Sequence, residues 1–250
     1  EVKGGTKEQK TVFYTALYHT MVSPNTYSDV DGSYLGRDFK VHNAGKSGYY
    51  TVFSLWDTYR ALHPLMTIID RRRSNDFINT FLRQYQEGGM LPVWELSANE
   101  TWCMIGYHAV PVIADAWIKG IRDYDGELAL KAMINSASKD IFGLDHYKKY
   151  GFIPAGLESE SVSKTLEYAY DDWCIARLAE SLGKDSVSAS FYQRAQSYKH
   201  LFDPVSGHMR ARFNGGWFNP FDPSEVNFNY TEANSWQYSF SVPQDIDGFI

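Results

Sequence analysis

The 250-residue sequence contains little cysteine and has neither a glycine-rich phosphate-binding loop nor a zinc-like Cys/His cluster. Its two cysteines, Cys103 and Cys174, could form one bridge, although two buried free thiols are the favoured interpretation. These absences argue against zinc and nucleotide chemistry.

The sequence is also poor in clustered positive charge and in long apolar runs. Its formal net charge is -6 at pH 7, whereas nucleic-acid binding calls for clustered Lys and Arg. The short basic run at residues 71–73 is better explained as a solvated helix end. No segment approaches the roughly 20 apolar residues that cross a bilayer. We therefore expect neither a nucleic-acid partner nor a membrane span.

Aromatic residues are abundant, at 16% of the chain, with 18 Tyr and 7 Trp. Tyr and Trp stack on sugar rings while their polar tips stay in water, although a large helical core would explain many of them equally well. We find no repeat of fixed period and no low-complexity linker, so we expect one domain.

Apolar periodicity predicts about seven helices and almost no strand, which is an all-α fold. The predicted helices run from residue 6 to a stop at Pro24, and over residues 50–72, 74–86, 102–121, 127–139, 159–182 and 186–202. Short connections alternate with long ones such as residues 25–49, which favours helix hairpins around a ring with long loops on one rim. A helical bundle with decorated loops is the alternative.

The segment 229–238 has the residue types of a sugar site. Its one carboxylate, Glu232, stands among amides, hydroxyls and an indole, and Asn234, Trp236 and Gln237 are the candidate substrate contacts. A carboxyl group near an aromatic surface can have its pKa raised towards the range of a general acid. The alternative is a surface loop that leads into a regular element.

A second candidate group lies in the predicted helix 50–72. Asp57 and Arg60 are three residues apart, so they can pair on one helix face beside Trp56. The structural interpretation is an ion pair next to a core tryptophan. The functional interpretation is a carboxylate that binds two sugar hydroxyls next to a stacking ring.

Two polar groups accompany the predicted helix 102–121, which is apolar on nearly all sides and should be central. Glu100 and His108 are candidate substrate contacts, although a histidine in this setting is more often a satisfied core residue. Asp171 and Asp172 lie in the middle of the predicted helix 159–182. For them we favour one buried acid bonded to a loop backbone and one exposed acid over a catalytic pair.

Five segments in series resemble glycoside hydrolase family 92, the calcium-dependent exo-acting α-mannosidases. The segments are ALYHT at 16–20, YTVFSLWDTYR at 50–60, CMIGYH at 103–108, LEYAYDDW at 166–173 and EANSWQY at 232–238. Together they span nearly the whole chain in the order of the family, so the resemblance is far more specific than any single motif.

The resemblance implies an (α/α)6 toroid, of which residues 1–250 are a partial catalytic domain without the preceding β-sandwich and the last part of the toroid. It also implies an extracellular or periplasmic enzyme that releases terminal α-mannose from N-glycans or mannan with inversion. An inverting acid and base lie about 6.5–9.5 Å apart with a water between them. Glu232 is implied as the general acid, and Asp57 with Trp56 as residues that bind the mannose hydroxyls.

The resemblance further implies a Ca²⁺ ion that holds two sugar hydroxyls through hard oxygen ligands. Its ligands and the general base are expected after Ile250, with Asn234 and Gln237 as weak candidates, so we expect the isolated piece to be inactive. A non-catalytic carbohydrate-binding toroid is the alternative from another class. A second alternative is an (α/α)6 glycosidase of another sugar specificity, trehalase-like or glucoamylase-like.

Overall fold

The computed structural model describes residues 2–250, apart from the side chain of Lys46. Most of its regular structure is helical. The helices are α1 (Lys7–His19), α2 (Leu55–Thr58), α3 (Leu62–Ile69), α4 (Arg71–Gly88), α5 (Ala109–Ile118), α6 (Gly126–Ser138), α7 (Leu144–Tyr150), α8 (Ser161–Ser181), α9 (Asp185–Arg194), α10 (Ser235–Tyr238) and α11 (Ile246–Phe249), with 3-10 turns at Gly45–Ser47 and Ala195–His200. None of the helices in residues 2–250 combines the length and the apolar character that crossing a bilayer requires.

Short strands occur in the connections between helices. They are β1 (Asn25–Thr26), β2 (Ser33–Leu35), β3 (Val41–Asn43), β4 (Tyr50–Thr51), β5 (Phe53–Ser54), β6 (Trp94–Leu96), β7 (Asn99–Glu100), β8 (Phe202–Asp203), β9 (His208–Met209), β10 (Arg212–Phe213) and β11 (Gly216–Trp217). In the described part of the chain, β5, β6 and β7 form a three-stranded antiparallel sheet, and the other strands pair in twos. The expectation of a helical fold therefore holds for the body of the molecule, while its loops carry small hairpins.

Helix α8 is the centre of the main hydrophobic core. It is the longest described helix, and it packs against α5, α6 and α9. Ile175 and Ala176 of α8 are fully buried in one cluster with Ile113 of α5 and Met133 of α6. A helix that is enclosed on nearly all sides must bury its polar residues too, so each of them needs a partner.

A second hydrophobic cluster attaches the C-terminal segment to the first turns of α8. Val162 and Leu166 of α8 pack there with Tyr198, Met209 and Tyr238. This contact brings the segment that carries Glu232 close to the N-terminal end of α8.

Several predicted helices are confirmed. Helix α1 begins with the expected capping box of Thr6 and Gln9, and α4 ends at Gly89, whose φ of +75° is the left-handed cap conformation. Helices α6 and α8 agree with the predicted ranges to within two residues. The predicted helix 186–202 is shorter, because α9 gives way to a 3-10 turn after Arg194.

The prediction of one helix over residues 50–72 is wrong. Strands β4 and β5 occupy its start, and Val52 between them has a φ of +67°, which no α-helix contains. Phe53 pairs with Glu95 and Ser54 with Trp94 in the antiparallel register of β5 and β6. Pairing with a distant strand outweighed the local helical spacing of apolar residues.

The prediction of a helix from residue 102 is also wrong, because α5 begins only at Ala109. Trp102, Met104 and Gly106 all have left-handed φ values, of +56°, +68° and +82°. The carboxylate of Glu100 accepts hydrogen bonds from the backbone amides of Val93, Trp94 and Trp102. These bonds fix a hairpin where the sequence predicted a helix start.

Glu95 is a buried carboxyl group in the same small sheet. Its Oε1 accepts from the Thr51 hydroxyl at 3.0 Å and from the Ala98 amide at 2.8 Å. Its Oε2 has no hydrogen-bond partner in the described structure. Burial raises the pKa of Glu95 to about 7, although these two hydrogen bonds oppose the shift.

Helix α7 was not predicted from the sequence. It is bounded by Gly143 and Gly151, whose φ values of +79° and +75° permit a sharp turn at each end. Its Tyr147 is buried against α8. Seven residues between two glycines are too few for apolar periodicity to reveal a helix.

Helix α1 buries none of its side chains against the rest of residues 2–250. Val12 is 69% exposed and Phe13 is 46% exposed, although both belong to the apolar positions that predicted the helix. Its hydrogen bonds and its cap are those of an ordinary helix, but its apolar face is uncovered.

Candidate active site

An open cavity of about 340 Å³ has residues of both α2 and α10 in its wall. It is lined by Trp56, Arg60, Thr231, Glu232, Ala233, Gln237, Tyr238, Phe240 and Ser241. Glu232 is the carboxylate among these residues, and its side chain is exposed. The cavity therefore brings together the two segments that the sequence proposed, around residues 56–60 and 232–237.

The backbone around Glu232 is strained and firmly anchored. Glu232 has a φ of +49°, a conformation that costs a non-glycine residue roughly 1–3 kcal/mol and is concentrated at functional sites. The Thr231 amide donates to the Ser163 hydroxyl at 2.8 Å, and the Thr231 hydroxyl donates to Glu160 at 2.9 Å. Thr231 and Ala233 are buried on either side of Glu232, so the fold turns only the carboxylate outward.

Asn234 and Gln237 form a capping box for α10. The side-chain oxygen of Asn234 accepts from the Gln237 amide at 3.2 Å, and the side-chain oxygen of Gln237 accepts from the Asn234 amide at 3.0 Å. Asn234 therefore holds the start of α10, while Gln237 also lines the cavity. Trp236 is 52% exposed and contacts His208 edge-on at 4.5 Å between ring centroids, outside the cavity lining.

The predicted pair of Asp57 and Arg60 is not formed. Asp57 accepts a hydrogen bond from the Ser54 hydroxyl instead and does not line the cavity. The guanidinium carbon of Arg60 lies 5.9 Å from the centroid of the Trp56 ring, which is within the range of a cation–π contact. Helix α2 ends at Thr58, so no continuous helix places Asp57 and Arg60 on one face.

Glu167 of α8 is a central residue of the site that the sequence reasoning missed. It is 3% exposed, and its carboxylate accepts from the Trp56 indole at 3.1 Å to both oxygens and from the Tyr238 hydroxyl at 2.9 Å. A third bond joins Glu167 Oε2 to His108 Nε2 at 2.7 Å. The available signal was a glutamate on the buried face of a predicted core helix, in the segment 166–173 that resembles family 92.

His108 lies between two buried carboxylates. Its Nδ1 is 2.8 Å from Asp171 Oδ1 and its Nε2 is 2.7 Å from Glu167 Oε2, while the ring of Tyr59 stacks on it at 4.1 Å. Burial alone would lower the pKa of His108, but the two carboxylates outweigh burial and raise the pKa to about 9. His108 is therefore a buried imidazolium that donates both N–H groups, and it does not line the cavity.

Asp172 is buried as completely as Asp171, so the expectation that one of them is exposed is wrong. Asp172 accepts from the hydroxyls of Tyr107 and Tyr147 at 2.8 and 3.0 Å and from Arg194 at 2.9 Å. Burial raises the pKa of Asp172 to about 6, against the opposing effect of Arg194. Both aspartates are enclosed because α8 is surrounded on nearly all sides.

The remaining sequence candidates lie away from the cavity. Glu100 binds backbone amides in the β6–β7 hairpin and is absent from the cavity lining. Both cysteines are free, as favoured, but only Cys174 is buried, and Cys103 is exposed in the irregular segment before α5.

The described residues do not fit a calcium site. Within residues 2–250 no cluster of three or more His, Cys, Asp or Glu side chains could hold a metal ion. The side-chain oxygens of Asn234 and Gln237 are already engaged in the capping box of α10.

A carboxylate in a cavity with an indole, a guanidinium and an amide suits a sugar ligand, and glycoside hydrolases act through carboxylates. The chain belongs to glycosyl hydrolase family 92. The sequence profile described as "Glycosyl hydrolase family 92 catalytic domain" matches residues 1–250.

Solved structures of this family have the same fold over the whole chain. A family 92 α-mannosidase of Bacteroides thetaiotaomicron is 43% identical with a TM-score of 0.96, and the match covers 100% of this chain and 34% of that protein. The same enzyme in complex with mannoimidazole has a TM-score of 0.93 over 97% of this chain and 33% of that one. An inverting family 92 mannosidase of B. thetaiotaomicron VPI-5482 is 38% identical with a TM-score of 0.93, over 100% of this chain and 35% of that protein.

A curated relative is described as "Uncharacterized secreted glycosidase" from Arthroderma benhamiae. It is 26% identical over 281 residues, which cover 95% of this chain and 32% of the relative. The chain thus spans about a third of the length of the relatives it matches.

Proposed function

We propose that the protein to which this chain belongs is a secreted or periplasmic exo-α-mannosidase, one that removes terminal mannose from N-glycans or mannan with inversion. Its family membership supports this proposal, as do the α-mannosidase and inverting mannosidase named among its structural relatives. The mannoimidazole complex of one relative supports a mannose-type ligand. We further propose that the helices belong to an (α/α)6 toroid.

The observation that carries the proposal is the position of Glu232. Its exposed carboxylate lines a cavity beside the Trp56 ring. We assign Glu232 as the general acid that donates a proton to the departing glycosidic oxygen. An inverting reaction also needs a carboxylate base about 6.5–9.5 Å from the acid, and we assign that role to the part of the protein outside residues 1–250.

The other lining residues suit the recognition of a sugar. The Trp56 ring offers an apolar surface for a sugar face, and the Arg60 guanidinium and the Gln237 amide offer hydrogen-bond donors for hydroxyls. Asp57 is exposed on α2 next to Trp56 and remains our proposed contact for the mannose hydroxyls. Calcium remains a proposed cofactor of the whole protein, with its ligands outside the described residues.

The test is the substitution Glu232→Gln in the full-length protein, with Glu225→Gln as the matched control. Glu225 is an exposed glutamate of the same segment whose carboxylate accepts from Asn227. We expect Glu232→Gln to lower kcat on α-mannobiosides by about 10²–10⁴-fold, the usual contribution of a general acid. The loss should be much smaller on an aryl mannoside whose leaving group needs no proton.

Mannose binding by the Glu232→Gln variant, measured by calorimetry, should stay close to that of the wild type. The Glu225→Gln variant should hydrolyse mannobioside at the wild-type rate. An unchanged mannobioside rate in Glu232→Gln would remove Glu232 from the acid role. Release of glucose but not mannose from the corresponding disaccharides would contradict the mannosidase assignment.

A further inference from the structure

Glu167 does not line the cavity, yet it bonds to two side chains that do, Trp56 and Tyr238. We infer that Glu167 is a positioning residue, whose carboxylate holds the Trp56 and Tyr238 side chains in place as walls of the sugar cavity. This inference rests on the proposed function, because it concerns the same cavity.

The geometry shows one carboxylate connecting two separate segments. Trp56 belongs to α2 and Tyr238 to α10, and Glu167 of α8 lies between them. The Trp56 N–H is 3.1 Å from each carboxylate oxygen, so it points between them. The Tyr238 hydroxyl is 2.9 Å from Oε1. A single buried side chain therefore links the two walls by hydrogen bonds.

When both ring nitrogens of His108 are protonated, only a carboxylate can accept from all three of these donors. An ionised glutamate accepts only, with about four lone-pair sites, whereas an amide has one acceptor oxygen and an NH₂ group that donates. In Glu167→Gln that NH₂ group would face the Trp56 N–H, the Tyr238 O–H or the His108 N–H. The variant keeps the shape of the side chain, but it either leaves one buried donor unpaired or requires His108 to give up its Nε2 proton, so the bonds around residue 167 change in both cases.

His108 supplies the charge that makes a buried carboxylate tolerable at this position. An ionised carboxylate without a partner is strongly disfavoured in a protein interior. His108 donates to Glu167 at 2.7 Å and is itself held by Asp171 at 2.8 Å. The hydrogen bonds from Asp171 through His108 therefore hold the Glu167 carboxylate in place, and Glu167 in turn accepts from Trp56 and Tyr238 in the walls of the cavity.

The role of Glu167 is indirect. At 3% exposure it cannot reach a sugar in the cavity, so it acts through Trp56 and Tyr238. A shift of these walls would displace the sugar relative to Glu232, and a displacement of about 1 Å can cost roughly 10²-fold in rate. We therefore expect a substitution of Glu167 to lower kcat/KM for mannosides as well as the stability of the fold.

The experiment compares four full-length proteins: wild type, Glu167→Gln, Tyr238→Phe and the double variant. Assays with an α-mannobioside and an aryl α-mannoside give kcat and KM separately. We expect Glu167→Gln to lower kcat/KM by about 10–100-fold and Tyr238→Phe by about 3–10-fold, as the loss of a hydrogen bond to a charged group would. The double variant should be close to Glu167→Gln alone, because both changes disrupt one interaction.

Asp172→Asn is the matched control. Asp172 is a buried carboxylate of the same helix with three donors, but they are Tyr107, Tyr147 and Arg194, none of which lines the cavity. We expect Asp172→Asn to lower Tm about as much as Glu167→Gln does, while kcat/KM of the folded protein stays within about twofold of the wild type.

Three results would overturn the inference. One is a kcat/KM for Glu167→Gln that falls no further than that of Asp172→Asn, and another is a double variant whose loss is the product of the two single losses. The third applies if Glu167→Gln does not fold, in which case Trp56→Phe and Tyr238→Phe replace it. The inference is then overturned if both variants keep a kcat/KM within twofold of the wild type. A wild-type protein that releases no mannose contradicts the proposed function instead, so the two failures are distinct.

Discussion

A methyl group added at Gly106 should displace the buried histidine that supports the cavity. Gly106 has a φ of +82°, and the Cβ of an alanine there would lie 2.2 Å from the Nε2 atom of His108. Ordinary van der Waals contact begins near 3.4 Å, so the ring would have to move by about 1 Å. The two hydrogen bonds of His108, to Asp171 and Glu167, are 2.8 and 2.7 Å long and would both be lost.

The expected loss of stability has two parts. A left-handed φ costs an alanine about 1–2 kcal/mol relative to glycine. Each lost hydrogen bond to a charged group costs about 1.5–3 kcal/mol more. We therefore expect Gly106→Ala to lower the free energy of unfolding by about 4–8 kcal/mol, which is well above the effect of a typical substitution.

Gly89→Ala separates the two parts. Gly89 has a φ of +75°, and a Cβ there meets no atom within 4 Å, so only the backbone cost of about 1–2 kcal/mol applies. Calorimetry of the two full-length variants should place Tm of Gly106→Ala at least about 6 °C below that of Gly89→Ala. Equal Tm values would refute the reasoning, because they would mean that the His108 ring accommodates the methyl group without losing its partners.

Two further predictions concern metal and pH. EDTA should inactivate the full-length enzyme and Ca²⁺ should restore its mannosidase activity, and an activity insensitive to EDTA would count against the proposed cofactor. Folding raises the pKa of Glu95 from 4.5 to about 7, so the stability contribution of its proton is complete below about pH 4.5 and is lost as the pH rises to about 7. Glu95→Gln resembles the protonated form, so it should remove most of this loss in the free energy of unfolding, which is about 3 kcal/mol. Urea unfolding at pH 5 and pH 8 measures it. If the variant keeps the pH dependence of the wild type, the assignment to Glu95 is wrong.

The sequence could indicate several residues that line the cavity, because polar and aromatic residues without a role in a helix or the core stand out in a local pattern. Glu232 has no helical or core role, so its composition-based assignment as a sugar-facing carboxylate needed no knowledge of the fold. Trp56 and Arg60 were proposed from the same kind of local pattern and do line the cavity with Glu232. The role of Asp57 stays a prediction.

The buried half of the site could not be predicted in this way. The importance of Glu167 depends on Trp56, His108 and Tyr238, and no local pattern connects these residues. The same limit explains the wrong helix over residues 50–72, where pairing of β5 with β6 decided the structure. Periodicity reports which face of a segment is apolar, and it carries no information about distant partners.

The partners of Glu167 also have a consequence for how the chain folds. They lie 59, 71 and 111 residues away along the sequence, and closing loops of this length costs entropy before any contact rewards it. Contacts of such high sequence separation slow folding and form late. Helix α8 can acquire its backbone hydrogen bonds early, but Glu167 lacks its hydrogen-bond donors until Trp56, His108 and Tyr238 reach it. The cavity should therefore be one of the last parts of this domain to form. During synthesis, Glu167 can accept from both Trp56 and Tyr238 only after the chain has been made as far as Tyr238.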